Sequence, residues 1–65
     1  MSKLVRSALM TMSITDRLVL TLRHFSECSY GEMAQILQVD DKTVKSRLFE
    51  ARRRLRALLA ARLAR

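Results

Sequence analysis

Apolar residues return along this chain at helical intervals. Leu4, Ala8, Leu9 and Met12 recur every three or four positions and predict a first helix over about residues 2–11. Ser13 stands where it can cap a second helix over about 14–25, with Asp16 at the third position of a capping box. Within that helix Leu18, Leu22 and Phe25 follow an i, i+4, i+7 pattern with Val19 alongside. The stretch Ser26-Glu27-Cys28 breaks the pattern. Ser29 opens a third segment over about 29–37, where Glu32 completes a second capping box. Tyr30, Met33, Ala34 and Leu37 form its apolar face, with Ile36 beside them. Gln38-Val39-Asp40 is a short connector, and Asp40 is the natural cap of a fourth helix that Asp41 favours in its first turn. Val44, Leu48, Ala51, Leu55 and Leu58 then step by four, three, four and three, one continuous seam over about 41–63. Counted from Asp41 to Ala64, at 1.5 Å per residue, this helix extends roughly 36 Å.

The pattern predicts an all-α fold: one four-helix domain over 1–65, with a helix-turn-helix ending in a long C-terminal recognition helix. Composition narrows it further. Sixty-five residues leave little interior. The absence of Pro, the single Gly and only three aromatics (Phe25, Tyr30, Phe49) argue against a β fold. One Cys and one His make neither a disulfide framework nor a complete zinc site, so no cofactor or metal is expected. No apolar run approaches the roughly 20 residues of a membrane span. The opening Met1-Ser2-Lys3-Leu4 lacks a signal-peptide apolar region, which reads as cytoplasmic. So thin a core offers no sheltered pocket for a small-molecule substrate, and catalytic groups do not cluster, so no enzyme is expected.

Charge changes the picture most. The chain carries +7 at pH 7. Residues 1–39 hold four basic and three acidic groups, net +1, whereas 40–65 hold nine basic and three acidic groups, net +6. A concentrated positive field attracts polyanions, nucleic acid foremost; the alternative is a solvated helix face that confers solubility. In a helix-turn-helix the second helix enters the major groove with its N-terminal residues facing base edges. On that face stand Lys45, Ser46, Phe49 and Glu50: Lys can donate to guanine, Ser can serve either partner type, Phe49 can touch a thymine methyl, and Glu50 can accept from cytosine N4. Lys42, Thr43, Arg47, Arg52, Arg53 and Arg54 are expected at phosphates, which position a protein without reading sequence.

The string Ser29-Tyr30-Gly31-Glu32-Met33-Ala34, then Leu37, then Thr43-Val44-Lys45-Ser46-Arg47-Leu48 and Ala51-Arg52, resembles region 4 of bacterial sigma factors, the extracytoplasmic-function type above all. The similarity covers roughly residues 4–59. Response-regulator helix-turn-helix domains share the Glu-hydrophobic-Ala and Thr-Val-Lys pieces but usually carry His at the position of Arg47 and lack the following Ala-Arg. The resemblance implies docking on core RNA polymerase and reading of the minus-35 promoter element, in the bacterial nucleoid. It also implies an anti-sigma factor as a partner, for which Leu58, Leu59 and Leu63 offer a contact. Region 2, which melts promoters, has no counterpart in these residues, so the expectation is a domain of a longer factor.

The chain departs from the family pattern at informative positions. Met12-Ser13 stands where Leu-Pro is usual, and Ser can cap where Pro would start the helix. Gln38 replaces a frequent Gly in the turn, so a non-glycine residue is expected at positive φ at a cost of roughly 1 kcal/mol. Glu50 replaces a frequent Arg and either reads cytosine or weakens DNA affinity.

Several residues admit two readings. Cys28 reads as a small buried hydrophobe rather than a redox thiol, and His24 as a surface residue rather than a ligand paired with Cys28. Tyr30 reads as core rather than as a base-stacking ring. Besides a DNA-binding module, the sequence is compatible with an interaction module of the same shape that binds an anti-sigma factor or polymerase without reading DNA. A basic amphipathic helix on a membrane surface is disfavoured, because there is no Trp and the apolar seam is needed by the helices before it.

Overall fold

The computed structural model describes residues 2–64. Four helices follow one another: α1 (Lys3–Met10), α2 (Ile14–His24), α3 (Tyr30–Leu37) and α4 (Asp41–Leu63). Each starts on a residue whose side chain accepts a hydrogen bond from the backbone N–H three positions on. Ser2 takes that of Val5, Ser13 that of Asp16, Ser29 that of Glu32 and Asp40 that of Thr43. Four otherwise orphaned amides are thereby satisfied, which is why the helices begin where they do.

Only one of the two expected capping boxes closes. Glu32 Oε1 accepts from the Ser29 N–H at 2.8 Å, so that box is reciprocal. Asp16 does not reach back to Ser13. Its carboxylate is instead held by Arg54 of α4 at 2.9 and 3.0 Å, a two-oxygen ion pair that outcompetes one amide.

Two of the three inter-helix turns use the left-handed region. Gln38 closes α3 at φ 60° and ψ 44°, as the missing Gly predicts, and the Val39 N–H donates to the Ala34 carbonyl at 3.1 Å. Glu27 does the same in the α2–α3 loop at φ 54°, a position the sequence pattern does not signal.

The helices enclose a core of Leu9, Met12, Val19, Leu20, Met33, Ala34, Val44, Leu48 and Ala51. The α4 seam lies at its centre: Val44, Leu48 and Ala51 are buried, and Leu55 and Leu58 pack against the rest. The expected face of α2 needs correction. Val19 and Leu20 point inward with Asp16, whereas Leu18 and Phe25 are 39% and 48% exposed. Apolar side chains at 18, 19, 20 and 22 cover most of this helix's circumference, so periodicity does not choose a face; packing against α4 does. In α1, Ala8 and Leu9 are buried as expected and Val5 packs beside them, with Leu4 only half-buried. Ile36 is turned out to solvent, while Cys28 and Tyr30 pack against the core rim.

α4 is the longest element, 23 residues, in a molecule measuring 39 × 19 × 15 Å. α2 and α3 pack along this helix. α1 packs on it as well, and near its far end Arg62 donates to the Ser7 hydroxyl. Leu58 thus belongs to the fold, and Leu63 remains exposed.

Candidate nucleic-acid interface

α3, the turn at Gln38 and α4 form a helix-turn-helix, with the capped N-terminus of α4 leading. Opposite the buried seam runs a ridge of exposed side chains at Lys42, Ser46, Phe49 and Arg53, spaced four, three and four. Phe49 is 61% exposed although large and apolar, and takes no part in the core. Of the four expected base-facing residues, Ser46 and Phe49 stand on this ridge. Lys45 and Glu50 lie on either side of it, where the fold engages them.

The Lys45 ammonium lies 5.7 Å from the centroid of the Tyr30 ring. The guanidinium of Arg23 also lies against that ring, at 5.0 Å, and Arg23 in turn donates to the Cys28 carbonyl at 3.0 Å. The half-buried ring is therefore a fixed surface between two cations, and Lys45 enters the interface already leaning on it.

Glu50 faces the other way. It pairs with Arg53 at 2.9 Å and with Arg54 at 3.7 Å, and the Arg53 hydrogen bond is the first cause holding its carboxyl below the usual Glu range. Arg54 continues to Asp16, whose side chain is only 10% exposed. Glu50, Arg53, Arg54 and Asp16 form one chain of alternating charge along this flank.

The expected phosphate-facing group divides accordingly. Lys42 is free on the exposed ridge, and Arg47 is half-buried. Thr43 serves the cap, its hydrogen bonds holding Asp40 below the ordinary carboxylate range. Arg53 and Arg54 are engaged by carboxylates. Arg52 is turned towards α2, where its Nε–H donates to His24 Nε2 at 3.3 Å, a bond that requires this nitrogen to be unprotonated. Burial first, then the charges of Arg52 and Arg23, push the His24 imidazole below its ordinary 6.5.

Between the end of α2, the start of α3 and α4 lies a groove. His24, Tyr30, Lys45, Phe49, Arg52 and Arg56 form its walls. Its floor is apolar, made by Leu20, Leu48 and Leu55. No carboxylate lines it. His24, Tyr30 and Arg56 are thus brought to the recognition helix although local spacing gives no sign of it: His24 and Arg52 are 28 positions apart.

Among the described residues, no three His, Cys, Asp or Glu side chains gather as metal ligands, and no helix is long and apolar enough to cross a membrane. Two comparisons, with curated proteins and with solved structures, give no match. The family model described as "Sigma-70, region 4" matches residues 2–55.

Proposed function

We propose, from the premise that the chain belongs to the sigma-70 region 4 family, that it reads the minus-35 element of promoter DNA in the bacterial nucleoid while docked on core RNA polymerase. The observation that carries this reading is the exposed ridge of Ser46 and Phe49 at the leading end of α4, with Lys45 held beside it on the Tyr30 ring. Lys45, Ser46 and Phe49 meet base edges. Glu50 belongs to the same face, but its pairing with Arg53 and Arg54 makes it first a moderator of their charge. Lys42, Thr43, Arg47 and Arg52 hold the backbone, and Arg53 joins them only as far as its pairing with Glu50 allows. Arg54, expected in that group, is committed to Asp16 and serves the fold. Polymerase, or an anti-sigma factor that competes with it, is met by the outer face of α2, where Ile14, Leu18 and Phe25 leave apolar surface uncovered.

A mobility-shift selection from random duplex pools at physiological salt tests the reading. A shared element should be enriched, and Lys45→Ala should cost about 1–3 kcal/mol of discrimination at one base pair. Binding with no preference above the non-specific level would overturn it. That outcome would favour the interaction module, checked by whether Leu18→Asp abolishes capture of core polymerase.

A further inference from the structure

The two flanks of α4 are unequal in free charge. On one, Arg53 and Arg54 are neutralised by Glu50 and Asp16. On the other, the groove presents Lys45, Arg52 and Arg56 with no carboxylate among its lining residues. Arg52 gives one donor to a neutral imidazole, and four of its five remain. Arg56 is in no ion pair among the described residues. The groove opens beside the base-reading ridge, shares Phe49 with it and takes in the neighbouring Lys45. Its aromatic and aliphatic surface suits the carbon face of deoxyribose, and its cationic rim suits an oxyanion.

We propose that this groove is a DNA-backbone site in which consecutive phosphates of one strand are held by Arg52 and Arg56, with His24 joining them as an imidazolium. The inference rests on the DNA-reading function proposed above. The groups facing His24 are Arg52, Arg56 and Lys45 from α4, Tyr30 from α3 and Arg23 on its own helix. Glu27, in the loop that follows, is in no ion pair among the described residues. Burial first, then the charges of Arg52 and Arg23, hold the imidazole below its ordinary value in the free protein. An arriving phosphate offsets them and draws the Arg52 N–H to itself, leaving Nε2 free to take a proton from solvent and donate to the phosphate. Binding on this flank therefore takes up one proton, and affinity rises as pH falls.

The test is fluorescence anisotropy with the whole chain and a duplex carrying the selected element, across NaCl concentration and between pH 5.5 and 7.0. Arg52→Ala and Arg56→Ala should each lower the slope of log affinity against log salt by about one, the counterions of one phosphate, whereas Arg54→Met should leave it unchanged. Wild-type affinity should rise towards low pH by up to about tenfold per pH unit, and His24→Gln, which can still accept from Arg52, should flatten that dependence. An unchanged slope in Arg52→Ala and Arg56→Ala, or a pH dependence that survives His24→Gln, overturns the site while leaving the promoter reading intact. Absence of DNA binding by the wild-type chain overturns both. Circular dichroism of each variant confirms that the compared chains are folded.

Discussion

The two flanks of α4 carry similar numbers of arginines and do opposite things with them. On the Asp16 side, Arg54 ties α4 to the start of α2 and Glu50 absorbs Arg53, so positive charge is spent inside the molecule. On the His24 side, Arg52 meets only an imidazole and Arg56 is unpaired among the described residues, so positive charge is left for a partner. A formal charge is therefore not an available one. The +6 assigned to residues 40–65 measures attraction at a distance, whereas the pairing pattern decides which cations can release counterions when a polyanion arrives.

The sharpest way to break this comparison is to remove Arg54. Arg54→Met strands the nearly buried Asp16 carboxylate and should cost about 1–3 kcal/mol, less than a fully buried pair because Arg54 itself is half exposed. In a domain this small that lowers Tm by roughly 4–24 °C. Arg56→Met on the opposite flank should lie within about 0.5 kcal/mol of the parent. Equal losses would mean that the flanks do not differ.

Next in size is a change that converts one flank towards the other. Glu50→Gln releases Arg53 and weakens the hold on Arg54, so the salt slope for DNA should steepen by about one. If it stays constant, Arg53 does not face the backbone. Gln38→Gly touches neither flank. It relieves a left-handed non-glycine turn and should raise stability by about 0.5–1 kcal/mol without altering the salt slope.

The smallest expected effect is on pH. The folded His24 value lies below its ordinary 6.5, so the unfolded chain binds the proton more readily. Stability from this group is fully present above about 6.5 and falls as pH drops through 6.5 towards the folded value. The free domain's Tm should decline slightly over that interval, and His24→Gln should remove the decline. DNA affinity should move in the opposite direction over the same interval.

How much of this was legible in the sequence depends on the distance between partners. The α4 seam and the caps at Ser13, Ser29 and Asp40 are local patterns, and each is found where the spacing puts it; the cap at Ser2 was not read from the sequence. The left-handed Gln38 followed from a glycine's absence, whereas Glu27 had no such marker. Asp16 looked like a capping-box acid because the local rule knows only residues three apart; Arg54, 38 positions away, claims it instead. Leu18 and Phe25 looked buried because α2 is apolar on most sides and only its neighbours choose a face. The interface divides in the same way. Ser46 and Phe49 were visible on the helical wheel, but His24, Tyr30 and Arg56 enter through tertiary packing alone.

α4 is one unbroken rod from the cap at Asp40 to Leu63. Its leading end carries the exposed ridge of Ser46 and Phe49, and its trailing end meets α1 through the Arg62–Ser7 bond. A continuous helix has no hinge to dissipate motion, so whatever takes hold of α1 steers the ridge as a tiller steers a rudder. Tilting the trailing end by a few degrees swings the leading end sideways by an ångström or more over a lever roughly 34 Å long, enough to make or break a hydrogen bond to a base edge. If the ridge reads DNA as proposed, a protein that binds α1 would disturb that reading without covering Lys45, Ser46 or Phe49.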